Sequence, residues 1–406
     1  MLNKDGNREL AYLVVIDNIT PIEGYDRVEL AHVGGWTIVV GKGDLKVGDP
    51  AVYFEIDSKL PEVPPFSEME FLVKKHYKIK TQKMCKSISQ GLLLPVTVFG
   101  WEIIENGYVY NPQTGSCMFL NDETRFLTKE LGVTYNDPTD NVRKAPSADK
   151  YKKMAARHPE LFKKAPIRWL MKRTWGKKLL FFFFGRKKDK RGWPQWVTKT
   201  DEERIENLPF LFNEDTHWIA TEKIDGTSTT FTMKHGGRDN DFYVCSRNVV
   251  MDTPNRKNYY SEISKNVYWE MAEKYKIKET LSSLLKEYPE AEWITIQGET
   301  YGEGIQKRTY HTKGHNFAAF NLIMSHTGRW NSVQMTNKLL KFGIPSVPIV
   351  AEDYQLPATL DELRNYVDSN TSVIDGDMRE GIVFRTLDGI RSFKCVSPTY
   401  LLKYHG

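Results

Sequence analysis

A lysine flanked by two acids and a glycine is the first candidate for chemistry in this sequence. The stretch TEKIDGTSTTF, residues 221–231, places Lys223 between Glu222 and Asp225, and Gly226 permits a tight turn after them. A lysine attacks an electrophile only when a neighbouring cation, a metal ion or loss of solvent lowers its pKa. Alone, a Lys-x-Asp-Gly sequence is weak evidence, because it arises by chance in about one chain in ten of this length.

Three later stretches also place charged residues on apolar strands. IQGETYGEG contains Glu299, MREGIVFR contains Glu380 and RSFKCVSPTYLLKYHG contains Lys394. A glutamate at the end of a strand is usually just exposed to solvent, so none of the three indicates a site on its own. Their order along the chain after Lys223 carries the functional information.

Taken in order, six short motifs resemble the nucleotidyltransferase motifs of the covalent ligase and capping-enzyme superfamily. The motifs are EKIDGT, CSRN, IQGETYG, FAAFN, REGIVFR and SFKC, all within residues 196–406. The preceding stretch DEERIENLP and the N-terminal residues resemble one family of ATP-dependent RNA ligases, which carries an OB domain ahead of its catalytic domain. The resemblance therefore implies an enzyme of RNA repair that joins a 3′-OH to a 5′-phosphate.

The same resemblance implies a role for each matching residue. Lys223 would attack the α-phosphate of ATP, expel pyrophosphate and hold AMP as a phosphoramidate, while Lys394 would contact that phosphate. Arg247 would approach the ribose or the substrate phosphate, and Phe320 would stack on adenine. AMP would then pass to a 5′-phosphate, and attack by a 3′-OH would form the phosphodiester.

A divalent metal ion is the second cofactor that the resemblance implies, beside ATP. The residues that would hold Mg²⁺ or Mn²⁺, some of them through water, are Asp225, Glu299 and Glu380. Glu299 and Glu222 would also contact the nucleotide. Magnesium prefers carboxylates and retains bound water. Such an ion and Lys394 would together neutralise the phosphate and lower the pKa of Lys223.

The last motif departs from many relatives at one position. A second lysine usually stands two residues after the first, but here that position is Val396. Either Lys403 or a residue of another loop takes its place, or one charge fewer holds the phosphate. Only 406 − 394 = 12 residues follow Lys394, whereas DNA ligases and capping enzymes have an OB domain there. We therefore expect the RNA-ligase branch of the superfamily.

The N-terminal residues predict an all-β domain over residues 1–140. Residues 10–57 form short alternating segments separated by glycine and proline turns, and a second β pattern follows. About five such strands suit an OB-like barrel. Its candidate nucleic-acid contacts are Lys75, Lys78, Lys80 and Lys83, with Trp36 and Tyr77 near them in sequence as aromatic platforms. The alternative interpretation is a solvated edge strand on which lysines prevent aggregation.

A basic, aromatic segment separates this domain from the rest of the chain. Lys150 to Arg191 contains 16 Lys and Arg against 2 acids, for +14, so the remainder of the chain carries 5 − 14 = −9. We assign residues 141–195 to a linker or insertion. Such a segment either lies on an anionic membrane, binds nucleic acid or docks its aromatic side chains on a neighbouring domain.

Residues 196–406 predict a mixed catalytic domain, with antiparallel sheets and helices in an ATP-grasp-like arrangement. Thr200-x-x-Glu203 is a capping-box pattern that predicts a short helix. The whole chain is thus expected to be an α+β multidomain protein, with the OB-like barrel first. Two rival interpretations are a non-enzymatic OB-fold RNA-binding protein and another covalent nucleotidyltransferase, of the capping or DNA-ligase type.

Composition limits where the protein acts. With 40% hydrophobic and 27% charged residues, the chain is typical of a soluble globular protein. The N-terminal stretch MLNKDGNREL lacks the apolar core of a signal peptide, and no apolar run approaches the length of a membrane span. We expect a cytoplasmic monomer without stable membrane insertion, whose partner is RNA or an RNA-containing duplex.

Overall fold

The structure is a computed structural model that describes most of the chain in seven segments. The described residues are 1–5, 7–104, 108–135, 159–184, 192–235, 241–254 and 266–405. Residues 1–135 and 193–406 together form one compact unit, and residues 136–192 form a second unit. Residues 1–135 of the predicted N-terminal domain and the whole of the predicted domain 196–406 therefore share one unit, although each region has hydrophobic cores of its own.

The N-terminal region is built from short antiparallel strands. In chain order they are β1 (Ala11–Val15), β2 (Asn18–Ile22), β3 (Tyr25–Val33), β4 (Trp36–Gly41), β5 (Pro50–Phe54), β6 (Ser58–Lys59), β7 (Thr81–Met84), β8 (Ser87–Gln90), β9 (Leu92–Pro95), β10 (Glu102–Ile103), β11 (Val109–Asn111), β12 (Ser116–Met118) and β13 (Thr134–Tyr135). One short helix, α1 (Glu70–Lys74), precedes β7. The larger sheets have the strand orders β1-β5-β9, β2-β3-β4 and β10-β11-β12.

The alternation that predicts these strands also fixes which side chains form the core. Along β4, every second residue from Trp36 to Val40 is buried, so one face of the strand packs inward. Every residue of β5 is buried, because this strand lies between β1 and β9. Two clusters result, one around Phe54 and Phe66 and another around Trp36 and Tyr53.

The second unit, as far as it is described, is helical. It contains α2 (Pro159–Phe162), α3 (Ala165–Met171) and α4 (Thr174–Phe184). The indole rings of Trp169 and Trp175 lie edge to face, 6.1 Å apart, and are about half exposed. Residues 150–158 and 185–191 of the predicted basic segment lie outside the described residues. Within the described residues, no helix has the length and apolar composition that crossing a bilayer requires.

The C-terminal region contains two five-stranded sheets, with the orders β14-β23-β22-β15-β21 and β17-β16-β18-β19-β20. The strands are β14 (Glu203–Arg204), β15 (His217–Lys223), β16 (Thr227–Lys234), β17 (Phe242–Ser246), β18 (Trp293–Gly302), β19 (His315–Met324), β20 (Gly328–Arg329), β21 (Ile349–Gln355), β22 (Gly381–Thr386) and β23 (Ser392–Val396). The helices are α5 (Val267–Lys274), α6 (Ile277–Glu287), α7 (Ser332–Leu340), α8 (Leu360–Ser369) and α9 (Pro398–Tyr400). All strand pairs in these sheets are antiparallel except β14 with β23.

The capping box predicted at Thr200 is wrong. Glu203 begins strand β14, which pairs in parallel with β23, and two 3₁₀ segments follow it, at Ile205–Asn207 and Pro209–Asn213, in place of an α-helix. The hydroxyl of Thr200 contacts the hydroxyl of Ser228 at 2.6 Å instead of capping a helix. Pairing with β23 satisfies backbone groups that a helix would otherwise satisfy, so tertiary contacts override the local signal.

The two C-terminal sheets meet at the turn between β15 and β16. Lys223 is the last residue of β15, which belongs to one sheet, and Thr227 begins β16 in the other. Gly226 lies so close to β18 that a Cβ atom there would stand 2.3 Å from the carbonyl oxygen of Thr300. The turn therefore requires glycine, and it fixes Lys223 at the junction of the sheets.

Candidate active site

Lys223 donates a hydrogen bond from Nζ to Oε1 of Glu380, at 2.6 Å. Lys223 ends β15, and Glu380 immediately precedes the neighbouring strand β22. Burial lowers the pKa of Lys223, but the charges of Glu380 and Glu299 outweigh it, and the pKa is raised above its ordinary value. Without a ligand, Lys223 is therefore an ammonium ion and not yet a nucleophile.

Glu299 brings a second carboxylate to this group from strand β18 of the other sheet. Burial raises its pKa to about 8; the charge of Lys223 opposes this, and the charges of Glu380 and Asp225 add to it. Burial likewise raises the pKa of Glu380, with Asp225 adding to the effect and Lys223 opposing it. Burial, with repulsion from the neighbouring carboxylates, thus makes a negative charge on Glu299 and on Glu380 costly, which is the condition that a bound cation relieves.

Asp225 is held in place by aromatic side chains. Its carboxylate accepts hydrogen bonds from the hydroxyl of Tyr400 at 2.9 Å and from Nε2 of His405 at 3.1 Å. Its backbone N–H donates to the hydroxyl of Tyr310 at 2.6 Å. Burial raises the pKa of Asp225, but the hydrogen bond and charge of His405 overcome this and lower it. Asp225 therefore supplies a fixed negative charge beside Lys223.

The three carboxylates suit a hydrated metal ion. Their oxygen donors are the type that Mg²⁺ and Mn²⁺ bind, and Oε2 of Glu380 is buried without a hydrogen-bond partner among the described residues. Within the described part of the chain, the single set of three metal-binding side chains whose ligand atoms all lie within 4.8 Å is His311, Asp375 and Asp377. The carboxylates around Lys223 are spaced more widely, which fits an ion that is held partly through its own water molecules.

A second charged group lies on the same face of the sheet. Val383 of β22 pairs with Thr221 on one side and with Lys394 on the other, so Lys394 and Lys223 project to one face. Nζ of Lys394 donates to Asp201 at 2.8 Å, and Nη2 of Arg247 donates to the same carboxylate at 2.6 Å. Two basic residues that are far apart in sequence are thus joined by one acid.

Sequence analysis missed Asp201. The residue belongs to the DEERIENLP stretch, which is similar to a family motif but has no role assigned by that similarity. Burial would raise its pKa, but the charges of Lys394 and Arg247 hold it well below its ordinary range. The guanidinium of Arg247 also lies 4.8 Å from the ring centroid of Tyr135 in the N-terminal region.

Phe320 stands where the pairing of β18 and β19 is irregular. Asn321 pairs with Gln297 and Ala319 with Gly298, so Phe320 is the extra residue of a β-bulge. Bulges re-aim side chains next to functional sites. The ring is half-buried, and it packs in the cluster that contains Ile224 of the turn after Lys223.

Glu222 does not share the position of Lys223. Adjacent strand residues project to opposite faces, and the Glu222 carboxylate is buried, accepting a hydrogen bond from the backbone N–H of Val373 at 2.8 Å. Its other oxygen has no partner among the described residues. The structure thus brings Lys223, Asp225, Glu299 and Glu380 together, places Lys394 with Arg247, and sets Glu222 apart from both groups.

Val396 is buried against Ile56 and Leu401, so it joins the N-terminal and C-terminal regions through an apolar contact. Lys403 lies over the ring of Tyr404, 4.9 Å from its centroid. The further cations whose charges act on Lys394 are Arg8 and Arg204. The neighbourhood of Lys394 is therefore cationic without a second lysine on β23.

The predicted lysines of the N-terminal region occupy different environments. Lys75 donates to Oε1 of Gln82 at 2.6 Å, whereas Lys83 is exposed. Burial lowers the pKa of Lys80, and the charges of Lys307 and Lys78 lower it further. Because Lys307 belongs to the C-terminal region, Lys78, Lys80 and Lys307 form one basic cluster with contributions from both regions.

The two aromatic platforms suggested for this surface are wrong. Trp36 is buried and donates its indole N–H to Oδ1 of Asn207 at 2.7 Å. Tyr77 is buried in an N-terminal core cluster. Neither ring is available to stack on a base, because both are needed for packing inside the protein.

Comparisons with known proteins agree with this arrangement. A family model described as RNA ligase matches residues 216–405, and one described as an OB-fold domain matches residues 10–96. A comparison with curated proteins gave no match. The chain is similar to a structure of the Naegleria gruberi RNA ligase with PPi, with 26% identity, a TM-score of 0.69 and coverage of 97% of this chain and 98% of that one.

Two further structures of that ligase are also similar to this chain. A mutant with ATP and Mn has 25% identity and a TM-score of 0.70, with 98% of this chain and 100% of that chain covered. A mutant with AMP and Mn has 26% identity and a TM-score of 0.69, with 98% and 99% covered. The predicted fold class, an OB-like region followed by an α+β nucleotidyltransferase region, is therefore confirmed.

Proposed function

This chain belongs to the RNA ligase family that carries an OB-fold domain ahead of a covalent nucleotidyltransferase domain, and from that premise we propose its reaction. The protein is an ATP-dependent RNA ligase that joins a 3′-OH to a 5′-phosphate through AMP bound covalently to Lys223. The observation that carries the proposal is the position of Lys223, 2.6 Å from Glu380 and under the charges of Glu299 and Asp225.

The first step forms a bond between Nζ of Lys223 and the α-phosphorus of ATP. Lys223 must first give a proton to water and lose its contact with Glu380, and the bond from the α-phosphorus to the bridging oxygen then breaks to release pyrophosphate. Lys394 and Arg247 donate hydrogen bonds to the phosphate oxygens, where negative charge develops. Phe320 stacks on adenine, and Glu299 contacts the nucleoside on the side of Lys223. Glu222 lies on the other face of β15, and its Oε1, which has no partner among the described residues, is the atom that would accept a hydrogen bond from the nucleoside.

Asp225, Glu299 and Glu380 would hold Mg²⁺ or Mn²⁺, in part through water. When bound, the ion supplies positive charge that favours the neutral amine of Lys223 and stabilises the phosphate in the transition state. Glu299, with its pKa of about 8 without a ligand, loses its proton when it takes up this role. The charges of Glu380 and Glu299 raise the pKa of Lys223 when no ligand is bound. With a cation bound, these charges would be partly neutralised, so the pKa of Lys223 would fall.

The second and third steps transfer AMP and close the RNA strand. An oxygen of the RNA 5′-phosphate attacks the lysyl-bound phosphorus, and the amine of Lys223 leaves. A 3′-OH then attacks the activated 5′-phosphate, which releases AMP and forms the phosphodiester. The basic cluster that includes Lys78 and Lys80 contacts the phosphates of the RNA or RNA-containing duplex, together with Lys75 and Lys83.

The biological setting forms part of the same proposal. We take the protein to act in RNA repair as a cytoplasmic monomer. Light scattering of the purified protein with and without RNA tests its oligomeric state, and fractionation of cells that express it tests its location.

Transfer of label from ATP tests the chemistry. The full-length protein is incubated with α-labelled ATP and Mn²⁺, and the label that stays on the denatured chain is measured. Lys223→Ala is expected to take no label. The matched control is Lys234→Ala, which removes an exposed lysine from the adjoining strand β16 and should label like the wild type. A wild-type protein that takes no label from ATP contradicts the proposal.

A further inference from the structure

The segment Asp201–Asn207 is charged, yet it is largely buried. Its side chains are paired one after another with groups from other elements. Glu206 is fully buried and forms an ion pair with Arg364 of α8 at 3.1 Å. The amide of Asn207 donates to Glu55 of the N-terminal region at 3.1 Å. The segment therefore has a fixed position between the two regions.

Asp201 stands at the end of this fixed segment, next to the reaction site. Its two carboxylate oxygens are divided between two partners, Nζ of Lys394 at 2.8 Å and Nη2 of Arg247 at 2.6 Å. Asp201 and Lys394 are about nine-tenths buried, whereas one-third of Arg247 is exposed. The neighbouring Glu202 is also held, by Arg385 at 2.8 Å and by Ser392. Asp201 therefore has little freedom to move away.

We propose that Asp201 is a positioning residue for the ligase reaction, which holds Lys394 and Arg247 side by side to receive the reacting phosphate. This inference rests on the proposed function, in which both cations contact phosphate. It also assigns a role to the DEERIENLP segment. Asp201 at one end of this segment contacts Lys394 and Arg247, and Asn207 near the other end contacts Glu55 of the N-terminal region.

The physical reason is that two buried cations repel each other unless an anion lies between them. Arg8 and Arg204 add to this repulsion, since their charges also act on Lys394. A carboxylate that bridges Lys394 and Arg247 fixes the spacing of the two cations and offsets part of the cost of burying them. Asp201 therefore stabilises an arrangement that Lys394 and Arg247 would not adopt alone.

The bridge leaves donors free for the substrate. An ammonium group has three N–H donors and a guanidinium has five, and Asp201 accepts one from each. The remaining donors can bind phosphate oxygens while the bridge persists. Asp201 is therefore expected to stay bound to both cations when ATP enters, and not to compete with the phosphate.

Asp201→Asn tests this role, because asparagine keeps the shape and removes the charge. The matched control is Glu206→Gln, which removes a buried ion pair from the same segment without touching Lys394 or Arg247. For each full-length protein, the rate of AMP transfer to the chain is measured against ATP concentration, and the unfolding temperature is recorded. Asp201→Asn should lower the rate at saturating ATP by about 10- to 100-fold, the range typical of residues that orient a functional group. Glu206→Gln should lower the unfolding temperature but keep a rate near that of the wild type.

A double variant separates positioning from general loss of stability. In a Lys394→Met protein one of the two cations that Asp201 positions is already gone, so adding Asp201→Asn should lower the rate by a clearly smaller factor than the same substitution does in the wild type. The double variant removes one negative and one positive charge, so the net charge of this buried group does not change. It can therefore be measured even if Asp201→Asn alone does not fold.

Several results would overturn the proposal. They are a wild-type rate in Asp201→Asn, an equal loss of rate in Glu206→Gln, and a full additional loss in the Lys394→Met background. Faster transfer or a lower half-saturating ATP concentration in Asp201→Asn would show that the carboxylate competes with phosphate, and would also overturn it. Absence of label on the wild type contradicts the proposed function itself, whereas a labelled wild type with unaffected Asp201→Asn contradicts only the role of Asp201.

Discussion

The Nζ atom of Lys223 lies 2.6 Å from Oε1 of Glu380, and this contact keeps the proposed nucleophile charged until a ligand arrives. The pair joins the end of β15 to the start of β22. The same carboxylate that masks the amine also belongs to the proposed metal group. Binding of a cation therefore changes the protonation of the nucleophile and the charge at the phosphate together.

Glu380→Gln should strongly impair transfer of AMP to the protein. The amide keeps the volume of the carboxylate but removes the charge that we propose holds the metal ion, so we expect the labelling rate to fall by at least about 100-fold. The rate is measured under single-turnover conditions with α-labelled ATP. Glu279→Gln, on the exposed side of α6, is the matched control. Near-normal labelling of Glu380→Gln would refute its assignment.

Lys394→Met should slow the same transfer by a factor of about 10² to 10³, the usual effect of removing one donor from a developing negative charge. Methionine is close in length to lysine and fills the buried position without charge. Lys394→Arg should recover part of the loss, because arginine also pairs with Asp201. Equal rates in Lys394→Met and wild type would exclude Lys394 from the phosphate site.

Glu55→Gln should destabilise the contact between the N-terminal and C-terminal regions. The Glu55 carboxylate accepts two hydrogen bonds from Arg8, at 3.1 and 3.0 Å, and one from Asn207 at 3.1 Å. Losing the charge of such a buried group should cost about 3 kcal/mol of unfolding free energy. Urea unfolding at pH 7 measures this, with the 66% exposed Glu62 as the control site for Glu62→Gln.

The same pair of variants predicts a pH dependence. Burial alone would raise the pKa of Glu55, but the N-terminal ammonium and Arg8 hold it far below its ordinary value of 4.5. A depressed pKa in the folded state gives stability that is present above pH 4.5 and lost as the pH falls below it. Between pH 5 and 3, wild type should therefore lose more stability than Glu55→Gln. Parallel losses in the two proteins would contradict this account.

A double substitution, Lys78→Ala with Lys80→Ala, should weaken binding of RNA without affecting AMP transfer. Each lost phosphate contact should reduce the salt dependence of RNA binding by about one unit of slope. Fluorescence anisotropy with a nicked RNA duplex at several salt concentrations measures that slope. The control, Lys46→Ala, removes an exposed lysine of another N-terminal turn. An unchanged slope in the double variant would place the RNA elsewhere.

The site residues that could be predicted from the sequence are those that a local sequence pattern marks. Lys223, Glu299 and Lys394 lie in strands, and Glu380 directly precedes one, at positions that alternation and glycine turns already predict. Gly226 is required because its backbone lies close to that of Thr300. In the sequence, the same requirement is visible as a glycine directly after Asp225. The resemblance of six ordered motifs then indicated a common site, and the structure brings Lys223, Glu299 and Glu380 together.

The interpretations that failed depend on contacts between distant residues. Asp201 pairs with Lys394, which is 193 residues further along the chain, so no local pattern marks the pair. Trp36 has the appearance of a binding aromatic in sequence, but its ring packs in a hydrophobic core and its indole N–H donates to Asn207. Thr200 satisfies a capping pattern, yet the strand pairing of Glu203 decides the backbone conformation. In each case tertiary contacts outweigh a local preference.

The most direct test of the central claim is to locate the AMP on the chain. Wild-type protein is incubated with ATP and Mn²⁺, digested, and its peptides are examined by mass spectrometry with fragmentation. We expect a mass increase of one AMP on the peptide that contains Lys223, with the fragment series assigning it to that side chain, and loss of the increase after addition of pyrophosphate. AMP on a different residue, or a modified peptide in Lys223→Ala, would contradict the account.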